Sequence, residues 1–521
     1  MTYFFRRIFN IIKVNGFQSL IATNTIAQGN AREDGLDVIV SQGGTINHAV
    51  KSMKWPGIAA VEVALVTITK QPWKGKFVLD TKEVKTITPY LDDAATLGNP
   101  FSLLQNESKS FQGSIVLGKG FVLEPNEAKV LIEKDSRNKD VLFPYLNGDD
   151  LNNNPDQRPS RWVINFFDWN EERAQQYPDC YKIIEQLVKP ERQRWTLDKD
   201  GNEIEGEYAL RKPLPEKWWI YADKRPALYR TILKLNRVLV VPRVTKYPSM
   251  SFVNSKSVFH DKVVVLSFEK NYEFLVLQSS FHDEWAKKYS STLGGLNNLN
   301  YSPSECLESF AFPQSLRNEK ELNLENIGET YHELRRHLML KIQLGLTKTY
   351  NAFHASEIQP GITVQALQGI NKQAIEKQYG KEVWNLWNHL QKTPGTCSIE
   401  EAIAGIVKLR ELHVEMDNAV LEAYGWAFGS EQPIELKHDF YEVDYLPEND
   451  RIRFTIHPDA RKEILKRLLE LNHRIHAEEV VAGLWDKKTT KSKEYKIADK
   501  EAMMVKDREK GLGDLFADNE E

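Results

Sequence analysis

The sequence predicts a chain of the α/β plus α+β class, with part of an open sheet at the N-terminus, a mixed middle region and a helical C-terminal region. Three observations carry this. Residues 17–22 and 60–68 are near-continuous apolar runs, as in strands covered on both faces. Between 160 and 315, strand-like runs at 237–241 and 263–268 are interleaved with helical patterns. From about 320 onward the apolar residues recur mostly at helical spacing.

In order along the chain, residues 1–70 read as helix, strand, polar loop, short helix and strand. Phe5, Ile8, Phe9 and Ile12 fall on one face of the first helix, which suits packing on a sheet. A turn at Asn15-Gly16 follows. These strands need neighbours, and the region holds only a minority of a sheet, so completion by another chain, or poor order, is expected. Residues 71–165 read as a connector with short strands and turns. A helix is predicted over 170–188 with a kink at Pro178, and another over 274–289. Helices are expected near 327–344, 372–390, 399–424 and 458–482, and the last stretch, 485–521, reads as a charged tail. The expected units are therefore 1–70, 71–165, 166–318, 319–484 and 485–521.

The 521 residues are 41% hydrophobic and 27% charged, an ordinary balance for a globular protein. No apolar run is long enough to span a bilayer, and a cytoplasmic location is expected. Cys180, Cys306 and Cys397 are too far apart in sequence for a CxxC metal pattern. His473 and His476 lie one helical turn apart without a third ligand, so no metal is assigned.

A net charge of −4 excludes a protein coated in positive charge, and nucleic-acid binding would need local segregation. That segregation exists at 211–256, where eleven Lys or Arg stand against Glu216 and Asp223. Trp218, Trp219, Tyr221, Tyr229, Tyr247 and Phe252 are interleaved with them. Cations neutralise phosphates, an arginine fork reads a guanine edge, and aromatic rings stack on bases. Composition alone leaves a second reading open, a solvated basic face with the Trp pair in a core.

Three phrases stand in order. The first runs from Thr23-Asn24-Thr25 through Gln28-Gly29-Asn30 to Arg32, then to Ile46-Asn47-His48-Ala49 and Trp55-Pro56-Gly57. The second is Pro242-Arg243-Val244-Thr245-Lys246-Tyr247, with Ser309-Phe310-Ala311-Phe312-Pro313 further on. The third is Leu409-Arg410-Glu411-Leu412-His413, continuing to Asp417-Asn418 and Tyr424-Gly425-Trp426. Together they resemble the C-terminal part of adenine-specific DNA methyltransferases of the type IIG, MmeI-like restriction–modification family, over roughly residues 1–480.

The resemblance implies that the N-terminal sheet is part of a Rossmann-like methyltransferase sheet, followed by a target-recognition domain and a helical C-terminal domain. It implies double-stranded DNA as partner, with Lys224, Arg225, Tyr229, Arg230, Arg243, Lys246 and Tyr247 as the DNA-binding set. Asn24, Gln28 and Arg32 would edge the active site, although Asn24, Gln28 and Gly29 equally suit a plain turn. Trp55 suits either a base-side wedge or a buried anchor of its loop.

The family's chemistry is methyl transfer from S-adenosylmethionine to the exocyclic amine of a flipped adenine, at an Asn/Asp-Pro-Pro-Tyr/Phe loop. The sequence has no Pro-Pro dipeptide, and Asn99-Pro100-Phe101 lies after the Trp-Pro-Gly phrase, out of family order. The family's glycine-rich cofactor phrase is missing too, and Gly118-Lys119-Gly120 reads as a turn. No catalytic residue is assigned. The expectation is that an upstream polypeptide carries the cofactor-binding half, with S-adenosylmethionine bound by the complete enzyme. The rivals are a non-enzymatic sequence-specific DNA-binding protein, or the remnant of a truncated methyltransferase gene, and an interaction protein whose basic block meets an acidic partner. Asp417 and Glu415, two apart on a helix, point to different faces and are given no acid–base role.

Overall fold

Phe5 and Phe9 are the buried residues of the first helix, Thr2–Ile11, and they seat it on a five-stranded sheet. The computed structural model describes residues 1–485 except 60, 94–97, 294–297, 315–318, 444–445 and 447–449. The predicted tail lies outside the described residues apart from Trp485.

The strand order of the N-terminal sheet is Phe17–Thr23, Glu62–Thr69, Thr45–Lys54, Phe77–Leu79, Lys82–Val84. All neighbours are antiparallel except Thr45–Lys54 with Phe77–Leu79. Three points differ from the sequence reading. Thr45–Lys54 is a strand that was not read as one, and its register shifts twice, between Ile46 and His48 and between Val50 and Met53. The sheet extends to Val84, so the chain itself supplies five strands rather than a remnant of two. Phe17–Thr23 is an edge strand with Phe17 and Ile21 exposed, so it is not covered on both faces.

The middle region is built on two four-stranded sheets. One has the order Ser251–Asn254, Arg237–Pro242, Val263–Leu266, Ser110–Gln112, all antiparallel. The other is Val258–Phe259, Leu142–Leu146, Arg161–Ile164, Val122–Leu123. Leu146, Val238, Val240, Phe259 and Val265 pack in one cluster that joins the two. Residues 110–165 are therefore integral to this region and not a connector. The break at Pro178 is present, between Glu171–Ala174 and Pro178–Leu187. The predicted 274–289 helix is two helices, Asn271–Gln278 and Ser280–Tyr289, interrupted at Ser279.

Trp218 and Trp219 are buried, and Trp219 Nε1 donates to the Trp169 carbonyl at 2.9 Å. The core reading of the Trp pair is the correct one. Beside them the buried Arg192 guanidinium donates to the carbonyls of Val116, Leu117, Trp218 and Ile220. With no acid among these partners, burial lowers its pKa to about 10.

The C-terminal helices Glu319–Ile342, Ile399–Ala423 and Pro458–Val481 follow the predicted periodicity, whereas the predicted 372–390 helix is two, Lys372–Tyr379 and Lys381–Lys392, broken at Gly380 with φ +95°, and Leu346–His354 was not predicted. Leu409, Leu412, Met416, Val420 and Ala423 are buried in the core they share with the sheet and helices of the middle region. Ser398 caps the 25-residue helix Ile399–Ala423 in a box with Glu401. No helix among the described residues is long and apolar enough to cross a membrane.

Candidate nucleic-acid interface

The cations of 211–256 separate in the fold. Lys224 pairs with Asp168. Arg225, held at φ +52°, pairs with Asp223 at 3.1 Å and donates to the Gly113 carbonyl and to Gln112. Arg230 is exposed on the helix Pro226–Ile232, with Nε donating to the Pro226 carbonyl. The Arg237 guanidinium lies 3.8 Å from the centre of the Phe252 ring and donates to the Glu269 carbonyl and to Asn271. The Tyr229 hydroxyl bonds to Ser114 Oγ at 3.0 Å and to the Phe259 amide, inside the middle region.

Lys246 and Tyr247 face the helical bundle. Lys246 pairs with Asp450 at 2.8 Å and donates to Asn351, which also accepts from the Tyr247 hydroxyl at 2.9 Å. The Tyr247 ring is buried and stacked on His354, so it presents no free face to a base. These two side chains latch the middle region to the bundle.

Arg243 is half-buried, and its side chain makes no hydrogen bond or ion pair with another described residue. A continuous run of hydrogen bonds links its surroundings. Its amide donates to the Lys262 carbonyl at 2.7 Å. Gln112 donates to the neighbouring Asp261 carbonyl and accepts from Arg225. In the other direction, the Arg243 carbonyl accepts from the Tyr301 amide, and Val244–Thr245 pairs with Leu299–Asn300, which pairs with Ser291–Thr292. The Thr292 amide donates to Gln28 Oε1 at 2.9 Å. Arg225, Gln112, Lys262, Arg243, Asn300 and Gln28 thus lie along one band between the middle region and the N-terminal sheet. Cations there suit phosphates, and arginine and amide side chains suit the edges of guanine and adenine.

Sequence reading missed Gln112, Lys262 and Asn300. The signal for Lys262 was a cation immediately before the apolar run 263–266, in register with Pro242 and so beside Arg243. Gln112 and Asn300 carried no such mark, because strand pairing alone brings them here.

The predicted active-site edge is mostly structural. Asn24 is buried at the start of a short 3-10 turn. Arg32 is buried, paired with Glu33 at 3.0 Å and Asp37 at 3.2 Å, bonded to Asn99 at 2.9 Å, and covered by the Tyr90 ring. Four partners fix it inside the protein, so, contrary to expectation, it does not stand at an open active-site edge. Gln28 is held by Thr292. Gly29 has φ +45°, and a Cβ there would stand 2.8 Å from Glu305 Oε1, so the turn requires glycine. Trp55 is 41% exposed and Ile58 fully exposed, so Trp55 is not a buried anchor of its loop. His473 Nε2 donates to the Asn99 carbonyl at 2.9 Å, and His476 stacks on Phe101 at 4.2 Å.

Asp417 is wholly buried and accepts from the Ser280 amide at 2.8 Å, Ser280 Oγ at 2.6 Å and His438 Nε2 at 2.7 Å. Burial opposes its ionisation, but His413, His438 and Ser280 together hold its carboxyl below the usual range. It joins the helix Ile399–Ala423 to the start of Ser280–Tyr289, a structural role.

Among solved structures, the type IIL restriction–modification enzyme MmeI in complex with DNA superposes with a TM-score of 0.57 at 14% identity. The chain has a restriction–modification-type fold. The match covers 91% of this chain and 52% of that one, so the chain spans about half the length of MmeI. The type IIG restriction endonuclease BpuSI also matches, over 81% of this chain and 49% of that chain at 10% identity, but with a TM-score of 0.27 that carries no argument. No protein-family description and no curated protein matches the sequence.

Proposed function

We propose that the chain is the DNA-recognition and partial catalytic portion of a site-specific adenine DNA methyltransferase. The complete enzyme transfers a methyl group from S-adenosylmethionine to adenine in double-stranded DNA, and an upstream polypeptide supplies the cofactor-binding half. The observation that carries this reading is the likeness in fold, over nearly the whole chain, to a restriction–modification enzyme solved with DNA. The three ordered sequence phrases supply the methyltransferase and adenine parts of the proposal.

In this reading DNA lies along the band from Arg225 to Gln28. Arg243, uncommitted among the described residues, reads a base edge, and Lys262 holds a phosphate. Arg225 and Arg230 add backbone contacts. Lys224, Lys246 and Tyr229 with Tyr247 shape the surface through their internal partners.

The sequence carries neither the family's glycine-rich cofactor phrase nor a Pro-Pro dipeptide, so in this reading the upstream half holds S-adenosylmethionine and no step is assigned to residues of this chain. The same lack leaves a second reading, a non-enzymatic DNA-binding protein.

The test is methyl transfer from labelled S-adenosylmethionine to unmethylated DNA, with the chain alone and with the product of the gene immediately upstream. Transfer only in the mixture supports the split enzyme, and transfer by the chain alone refutes it. Selection of one short duplex from a random pool, without transfer in either case, favours the non-enzymatic reading.

A further inference from the structure

Among the described residues the strand Phe17–Thr23 has a neighbour on one side only. Its register with Glu62–Thr69 pairs Gly16 with Lys70, and the Lys70 amide donates to the Gly16 carbonyl. In an antiparallel ladder hydrogen-bonded pairs alternate. Gln18, Leu20 and Ala22 therefore turn their backbone groups inward, while Phe17, Ser19 and Ile21 offer N–H and C=O groups to the open side.

Exposed edges are normally blunted by charge, proline, a bulge or a covering element. This one has none of the first three: its sequence is Phe-Gln-Ser-Leu-Ile-Ala-Thr, and its register is unbroken. Phe17 is 49% exposed and Ile21 44%. The helix that leads into it exposes Tyr3, Phe4 and Ile11, and Val14 in the turn is exposed as well. Of the 23 large apolar side chains exposed among the described residues, ten lie within residues 1–61. Such concentration marks a contact surface and not scattered surface hydrophobics.

A second observation concerns Gln18. It is 4% exposed, and neither Nε2 nor Oε1 has a partner among the described residues. An orphaned buried amide is costly, and a neighbouring strand removes that cost by supplying the missing partner.

We propose that Phe17–Thr23 is a docking edge onto which a different polypeptide adds a strand, its apolar side chains covering the outer face of Thr2–Ile11. This rests on the split-enzyme reading and names the surface through which the cofactor-binding half attaches. A second copy of this chain fits less well. Full-length antiparallel pairing about a two-fold axis at Leu20 places Gln18 opposite Ala22, which has no side-chain group to bond the amide. The occupant is therefore a polypeptide with its own unpaired strand and a polar side chain opposite Gln18.

The experiment is sedimentation of the full chain, co-expressed with the upstream gene product, in wild-type form and as Ile21→Lys and Ser19→Pro. Both substitutions act on the open side and leave the inward ladder intact. Ile452→Lys, at an exposed position on the hairpin Asp439–Glu442/Ile452–Thr455, is the control. The expected result is a stoichiometric complex for the wild type and the control, weakened at least tenfold by each edge variant. Duplex selection by the variants alone should remain that of the wild type, which separates a lost edge from a lost fold. A complex that survives both edge variants overturns the proposal, as does concentration-dependent self-association or no complex at all. Failure of the chain to select any duplex would instead sink the recognition reading, because sedimentation does not depend on DNA.

Discussion

Mild acid should destabilise the joint between the middle region and the helical bundle. His282 is wholly buried, bonded to the Tyr301 hydroxyl and edge-on to Phe310, and burial pushes its pKa down to about 3. His332, against Phe252 and Phe274, is lowered to about 4 by burial and by Arg335. Both are neutral in the folded protein, whereas in the unfolded chain each takes a proton near pH 6.5. Above about pH 7 neither state binds the proton. As the pH falls through 6.5 the unfolded state gains protons that the folded state refuses, so stability drops. Between about pH 7.5 and about pH 5.5 each histidine contributes a loss of about 1.4 kcal/mol, about 3 kcal/mol for the pair. His354 and His413, also lowered by burial, act in the same direction. Urea unfolding followed by tryptophan fluorescence measures this, with the buried Trp285 in the same helix as His282. His282→Gln should remove roughly half of the two-histidine loss. A loss below about 1 kcal/mol for the wild type, or a pH dependence unchanged in that variant, refutes the reasoning.

Three further outcomes are expected. Arg192→Met leaves the carbonyls of Val116, Leu117, Trp218 and Ile220 without their donor and should lower stability by more than about 4 kcal/mol, read from the urea midpoint. Asp417→Asn weakens the charge-assisted bonds to His438 and Ser280 and should cost about 3–5 kcal/mol in the same measurement. For DNA, Arg243→Ala should relax sequence choice at one position by about 1–3 kcal/mol. Lys262→Ala should weaken all duplexes alike and reduce the slope of log affinity against log salt by about 1; competition and salt titrations distinguish the two.

What the sequence made legible was local. The first helix, the turn at Asn15-Gly16, the break at Pro178 and the long C-terminal helices follow from periodicity and from proline. Thr45–Lys54 escaped because two register shifts destroy its alternation, leaving Ile46-Asn47-His48-Ala49 with no clean period of two. The site was less legible for a different reason. Lys246 and Tyr247 looked like free DNA-binding groups in a basic stretch, but their partners Asn351 and Asp450 lie more than a hundred residues away. Arg32 was misread in the same way, because Asn99 and the Tyr90 ring reach it through the fold. A cation's availability is set by long-range pairing, which composition does not encode.

The distribution of cores accounts for how these parts work together. The middle region and the helical bundle share one large apolar core, crossed by Asp417, by Arg335 and by the Lys246–Asp450 latch. The N-terminal sheet has a core of its own. Contacts that tie it to the rest include Arg32 with Asn99, Gln28 with Thr292 and Lys288 with Asp92. Arg32 is buried and Asp92 half-buried in that seam, and Tyr90 packs edge-on against Tyr289 across it, so these contacts hold the sheet to the rest more firmly than exposed ion pairs would. The sheet is also the part with the bare edge and the orphaned Gln18. In the proposed split enzyme the face built on the shared core would meet DNA, and the bare edge of the sheet would meet the partner.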